Sequence, residues 1–367
     1  MEYKVKLLST VEKAVFDLRE LYRSYGYSQF SVGKFEEYDF YAQNKSFITG
    51  DSILTFTDMD GTLMALKPDI TLSIIKSTKA SPALRKVYYN ENVYRAQNAS
   101  SGFREITQTG LECVGPLDVY SVCEVIMLSA MSLEKVNSDY LLDISHIGLV
   151  PGFLEYAGAD RESAKKLIEF AGEKNLHDAA ILCRSIGMGE GHIKTLGKLM
   201  HMRTRLCDAL DELQGLDIGE KALAAANELS EISENLSAIE LGDKIFLDLS
   251  LGGDMRYYNG VIFRGFISGI PTAVLSGGRY DTLLRKMKKD GGAIGFAFYL
   301  DMLTGHFEEP EKYDFDILLI KNGNDPPAEI LKAVKKLSDQ GKRVRVDVSE
   351  PEGLKYEKSL TMGEIDG

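Results

Sequence analysis

Two long β-prone runs follow one another with little between them: RKVYYNENVYR at residues 85–95 and REITQTGLECVG at 104–115, joined by the polar loop AQNASSGF. A strand usually runs to about five or six residues, so a pair of this length sets the scale of the sheet around it. Elsewhere, β-prone segments are separated by turns as often as by helices. ITGDSILTFTDMDGTLMALKP (48–68) holds two short runs around an Asp60-Gly61 turn, a hairpin signature. Further strands are expected at YLLDISHIG, KIFLDLS, YYNGVIFRGFI and TAVLSGG, with AIGFAFYLDML a strand running into a helix. The pattern specifies an α+β fold around an antiparallel sheet rather than a doubly wound parallel one.

Helical spacing fills the gaps. Leu8, Val11, Val15, Leu18, Leu21, Tyr22 and Tyr25 mark a first helix with Gly26 as its cap, and residues 69–79 and 118–135 read as two more. From about 150 to 240 Glu, Lys, Ala and Leu dominate, with stripes at Ile193, Leu196, Met200, Leu206, Leu210 and Leu213 and at Ala222, Ala225, Leu229, Ile232 and Leu236. These are packing faces of a helical insertion. A large domain over 1–308 is therefore expected, then the acidic linker EEPEKYD and a β-α-β unit over 313–367, built from FDILLIK, a helix at about 327–340 and RVRVDV. That tail is short for a core of its own.

Composition excludes several classes. No apolar stretch has the length of a membrane span and no signal-type segment opens the chain, so a cytoplasmic location is expected. Cys113, Cys123, Cys183 and Cys207 lack CxxC spacing, and the five histidines contain no HxxxH pair, so neither a structural metal nor a disulfide framework is expected, only reduced, buried thiols. The formal net charge of -12 argues against gripping a nucleic-acid backbone.

Five segments, in order, carry a resemblance. TFTDMDGTLMALKPDIT (55–71) is similar to the hairpin of histidyl-tRNA synthetases that ends in an amino-acid-binding signature. The two long strands resemble motif 2 of class II synthetases. MRYYNGVIFRGF and LSGGRYDTLL resemble the family's two histidine-recognition signatures, and AIGFAFYLDML resembles motif 3. The resemblance spans about residues 7–305. It implies a class II aminoacyl-tRNA-synthetase-like sheet flanked by helices, a tail like a truncated anticodon-binding domain, and a histidine site at Asp69, Thr71, Arg95, Gln108, Glu112, Tyr257, Tyr258 and Tyr280. Glu112 and Tyr258 would hold the imidazole, while Asp69, Thr71 and Gln108 would hold the ammonium; Gly277 and Gly278 would let their strand pass close to the ligand.

The departures point further. Aligning the paired tyrosines puts the family's catalytic arginine on Gly253, and the motif 3 arginine falls on Met302, while the motif 2 loop carries no charge. Adenylate formation gathers negative charge that enzymes offset with preorganised arginines or metal ions. One loss could be made good by Arg256. Both losses together imply no catalytic residues and no cofactor. A kept amino-acid pocket beside a dismantled ATP site resembles the regulatory-subunit branch of the family. There the implied partner is the short-form catalytic subunit of ATP phosphoribosyltransferase, met by a homodimer core within a hetero-oligomer, with free histidine as effector.

Two other readings compete with this one. The first is a working histidyl-tRNA synthetase. The second rests on DMDGTL (Asp58 to Leu63), which matches the nucleophile loop of haloacid-dehalogenase-type phosphatases, with GDKIFLD as a distal acidic motif; it requires a parallel sheet with Asp58 at a strand end. At single positions, His146 reads as a satisfied core histidine, Arg95 as a partner for an acidic neighbour, and Tyr257 and Tyr258 as pointing to opposite sides of one strand.

Overall fold

The computed structural model describes residues 8–365 except 49–52, 80–82, 97–101, 240, 252–256 and 308–311. The chain forms two compact units, Met1–His306 and Phe307–Gly367. Helix α1 (Thr10–Ser24) is closed at its start by a reciprocal Ser9–Glu12 capping box. It ends at Gly26, whose φ of +81° glycine adopts at little cost. Past the two-residue strand β1 (Ser28–Gln29), an antiparallel sheet forms from β2 (Phe35–Glu37), β3 (Thr55–Thr57) and β4 (Leu63–Leu66). Helix α2 (Tyr38–Gln43) precedes β3, and α3 (Thr71–Ser77) follows β4.

The long runs become β5 (Arg85–Ala96) and β6 (Phe103–Gly115), paired antiparallel from Arg85↔Val114 to Ala96↔Phe103. They are the wide part of a sheet completed by β7 (Tyr140–His146), β8 (Arg203–Arg205), β9 (Ile245–Asp248), β10 (Val261–Ile267), β11 (Leu275–Arg279) and β12 (Gly292–Tyr299). Its order is β1-β5-β6-β12-β11-β10-β7-β9-β8. Among the described residues only β1–β5 and β7–β9 pair parallel in it. This is the expected α+β architecture around a mainly antiparallel sheet. One face packs on α1 and on α4 (Val119–Val136), whose first turn is held by Asp118 accepting from the Ser121 backbone N–H at 2.8 Å.

Between β7 and β9 the chain is almost wholly helical: α5 (Leu149–Tyr156), α6 (Arg161–Gly172), α7 (Leu176–Ser185), α8 (Glu190–His201), α9 (Leu206–Gln214) and α10 (Gly219–Ser237). Every residue of the two apolar stripes is buried, and all belong to the main core. A fully buried leucine contributes roughly 1.5–3 kcal/mol, so these stripes, rather than helix propensity, hold the layer together. Helix α11 (Asp281–Lys286) links β11 to β12.

The second unit is a parallel sheet of β13 (Phe315–Ile320), β14 (Val344–Asp347) and β15 (Tyr356–Thr361), in the order β14-β13-β15, with α12 (Pro327–Asp339) after β13. Strand β15 is additional to the β-α-β pattern. YEKSLT buries only Leu360, so its sequence carries no apolar run to announce it.

Several details differ from expectation. After β12 the chain makes a short 3-10 turn, Leu300–Leu303, and no α-helix. Cys207 is exposed on α9, while Cys113, Cys123 and Cys183 are buried; all four are free thiols. The DMDGTL segment is an exposed hairpin turn: the Asp58 N–H donates to the Thr62 carbonyl at 2.9 Å, and Gly61 takes a φ of +88°. Asp58 therefore directly follows β3, a strand paired antiparallel with β4, which removes the parallel-sheet geometry the phosphatase reading requires. No helix of the described residues is long and apolar enough to cross a membrane.

Candidate functional site

Strand alternation builds the site. On β6, Gln108, Gly110 and Glu112 share one face, while Leu111 and Cys113 turn to the α1/α4 core. Glu112 stands opposite Gly295 of β12, where a Cβ would collide with the Glu112 carboxylate and lie 2.5 Å from the Leu111 carbonyl. Gly295 thus makes the space that the buried acid occupies. The result is a cavity of about 610 Å³ over β5, β6, β12 and β11. All eight residues named from the sequence line it: Asp69, Thr71, Arg95, Gln108, Glu112, Tyr257, Tyr258 and Tyr280.

Glu112 is almost fully buried and accepts hydrogen bonds from Thr71 Oγ1 at 2.7 Å and from the Tyr280 hydroxyl. Burial pushes its carboxyl up to about 8, against the pull of those two hydroxyls and with a smaller upward push from the Asp69 charge. Asp69 accepts from the Leu72 backbone N–H at 2.9 Å, which fixes it at the start of α3. Burial raises its pKa as well, and Arg95 works in the opposite direction. Arg95 is engaged twice: Nη2 lies 3.5 Å from Asp69 Oδ2, and Nε donates to the Pro68 carbonyl at 2.7 Å. It does pair with an acidic neighbour, and it does so at the cavity wall.

Gln108 is 2% exposed, and its Nε2 has no hydrogen-bond partner. A buried unpaired donor costs about 1–3 kcal/mol, so this amide is poised for an acceptor from a ligand. Tyr257 and Tyr258 precede β10, which begins only at Val261. Without a strand to alternate on, both rings turn to the cavity, their centroids 4.7 Å apart, and Tyr257 lies 5.5 Å from the Tyr280 ring. The phenols of Tyr257 and Tyr280 are driven well above their ordinary pKa, first by burial and then by the nearby acids, so they stay neutral donors.

Gly277 and Gly278 make room for protein. A Cβ on Gly277 would meet Phe263 and Phe296, and one on Gly278 would meet the Tyr258 ring at 2.8 Å. His146 is satisfied, with Nε2 3.1 Å from Glu228 and Nδ1 accepting from Gly148. Met302 is exposed in the 3-10 turn and does not line the cavity. Gly253, Arg256 and positions 97–101 of the loop AQNASSGF lie outside the described residues. Lining residues that the sequence did not single out include Lys45, Phe47, Tyr89, Ser276 and Tyr299. Tyr89 had a signal, since it shares the cavity face of β5, whereas Lys45 sits in a single 3-10 turn with no periodicity to expose it. No His/Cys/Asp/Glu group among the described residues could hold a metal ion. The arrangement suits a small polar cation with ring character: buried acids, neutral hydroxyl donors and aromatic walls.

Comparison with known proteins identifies the family of the chain. The family model described as histidyl-tRNA synthetase matches residues 6–303. An ATP phosphoribosyltransferase regulatory subunit from Clostridium kluyveri is 29% identical over 316 residues, covering 83% of this chain and 81% of that protein. Among solved structures, an ATP phosphoribosyltransferase regulatory subunit/histidyl-tRNA synthetase from Bacillus halodurans C superposes with a TM-score of 0.76 at 25% identity, covering 96% of this chain and 93% of the other. A chain of the ATP phosphoribosyl transferase (HisG:HisZ) complex from Thermotoga maritima shares the fold, with a TM-score of 0.62 at 20% identity over 78% of this chain and 96% of that one.

Proposed function

Because the chain belongs to the histidyl-tRNA synthetase family, we propose that it is the regulatory subunit of ATP phosphoribosyltransferase, acting at the first step of histidine biosynthesis without catalysing a reaction itself. One observation carries the non-catalytic part of the reading. The cavity gathers Asp69, Thr71, Gln108, Glu112 and five tyrosines, yet its arginine, Arg95, is engaged with Asp69 and Pro68. The position matched to the motif 3 arginine is Met302, outside the cavity. Polar groups that suit an amino acid line the cavity, and among the described residues Arg95 is the one guanidinium that lines it.

In this reading free histidine occupies the cavity and the chain assembles as a homodimer core. That core joins a short-form catalytic subunit in a cytoplasmic hetero-oligomer, and the unit after residue 306 stands where synthetases carry an anticodon-binding domain. The likeness to regulatory subunits supports the assembly. Two measurements decide between this reading and an active synthetase. Calorimetric titration is expected to give heat with histidine and little with ATP and magnesium, and pyrophosphate exchange with both substrates is expected to be absent. Mixed with a short-form catalytic subunit, the chain is expected to confer inhibition by histidine. Robust pyrophosphate exchange would overturn the reading in favour of the synthetase.

A further inference from the structure

We propose that Lys45 holds the carboxylate of the bound amino acid and so makes the cavity select a zwitterion. The inference rests on the reading above, that the cavity takes a free amino acid. Its ionisable lining is uneven. Asp69 and Glu112 are buried, and Arg95 is already turned to Asp69 and the Pro68 carbonyl. The remaining lining cation is Lys45, in the 3-10 turn Lys45–Phe47, and among the described residues its ammonium has no hydrogen-bond or ion-pair partner.

A ligand whose positive groups are held by buried acids brings its own negative group into the same cavity, where leaving it unpaired is costly. The orphaned Gln108 Nε2 is an independent sign of the same need, since a buried amide donor without a partner calls for an acceptor on the ligand. An ammonium group offers no acceptor and a carboxylate offers several. Lys45 is exposed and unpartnered, so it turns to the ligand without breaking a contact within the protein. The neighbouring Phe47 ring lines the cavity and carries the Lys286 ammonium 4.7 Å from its centroid, which makes Lys286 the natural control for a general positive field at this edge.

The test pairs two ligands with three variants. Histidine and histidinol share the ammonium and the imidazole, and only histidine has a carboxylate. By titration calorimetry the wild-type chain is expected to prefer histidine. Lys45→Gln is expected to weaken histidine by about 10- to 100-fold, as befits a charged hydrogen bond, and to leave histidinol within about twofold. Lys45→Arg should keep most of the preference, and Lys286→Gln should keep all of it. Unchanged histidine affinity in Lys45→Gln, an equal loss for both ligands, or an equal loss in Lys286→Gln each overturns the assignment. Equal wild-type affinity for both ligands overturns it while leaving the amino-acid reading standing. A wild-type chain that binds neither overturns that reading too.

Discussion

Replacing Glu112 by Gln is expected to remove most of a pH dependence of stability that the buried acid imposes. The carboxyl titrates near 8 in the folded chain because burial disfavours its charge, whereas an unfolded glutamate titrates near 4.5. A raised folded pKa on an acid means that the native state holds the proton longer. Its contribution is therefore complete below about 4.5 and is lost as pH rises toward 8. From pH 6 to pH 9 almost all the loss falls in the two units below 8. At 1.36 kcal/mol per unit it comes to about 2.7 kcal/mol. Glutamine keeps the shape and remains neutral; one end of its amide accepts as the acid did, and the hydroxyl of Thr71 or Tyr280 can rotate to accept from the other. Below about pH 4.5 the two proteins should differ by no more than about 1 kcal/mol, the scale of a single neutral hydrogen bond, and by pH 6 the wild type should already trail the variant by about 2 kcal/mol. Urea unfolding at pH 6, 7, 8 and 9, followed by far-UV circular dichroism, gives the comparison. The wild type should lose about 2.7 kcal/mol more than the variant across that range, and other titrating groups cancel in the difference. Parallel curves for the two proteins would refute the argument, since Glu112 would then already be ionised at pH 6.

Further expectations follow from the same contacts. Seating a mostly neutral imidazole beside the protonated Glu112 should keep the carboxyl proton within the complex, so histidine binding near pH 7 should exchange little proton with solvent and weaken as pH rises through about 8; calorimetry in buffers of different ionisation enthalpy measures this, and Glu112→Gln should flatten that pH dependence. Glu112→Ala should weaken histidine by about 2–4 kcal/mol in the same titration while the circular dichroism spectrum is unchanged. Gly295→Ala places a methyl on the Glu112 carboxylate and against the Leu111 carbonyl, so it should cost at least about 1–3 kcal/mol in urea unfolding and eliminate histidine binding. Leu229→Ala, at a fully buried position of α10, should cost about 2–5 kcal/mol with little effect on histidine affinity in the surviving folded protein.

What could be read from the sequence divides along physical lines. β5 and β6 were visible because β-branched and aromatic residues recur along both runs with no proline between them, and the insertion helices because each stripe repeats at helical spacing and is buried in full. Gln108 and Glu112 were placed on one face by spacing alone, since strand alternation needs no tertiary information. Tyr257 and Tyr258 could not be oriented in that way, because the alternation rule applies only within a strand and the strand starts three residues later. β15 was hidden by its polar face, and the helix expected after β12 by an apolar pattern too short to separate a 3-10 turn from an α-helix. Lys45 and Gly295 were invisible for a different reason. Each matters through a neighbour distant in sequence, the cavity edge for one and the Glu112 carboxylate for the other, and no local pattern encodes such a neighbour.

In the function proposed above, an enzyme site becomes a sensing site by few changes. Catalysis requires groups that bind the transition state more tightly than the substrate, and for phosphate chemistry those groups are cations aimed where negative charge develops. Sensing requires only ground-state partners. Thr71, Glu112 and Tyr280 form such a set and hold one another through Thr71–Glu112 and Tyr280–Glu112 hydrogen bonds, while the Leu72 backbone N–H fixes Asp69, so the four keep their geometry without any ligand phosphate. Arg95, the guanidinium of the cavity, faces an acid at 3.5 Å and a carbonyl at 2.7 Å, and turning it toward a phosphate would leave Asp69 buried and uncompensated. The preorganisation that steadies the amino-acid half therefore works against the phosphate half. A variant that places an arginine at Met302 alone should consequently gain no pyrophosphate exchange, because that side chain is exposed and does not line the cavity. Exchange appearing in Met302→Arg would show that one cation at motif 3 suffices, and that the chain stands a single substitution away from catalysis.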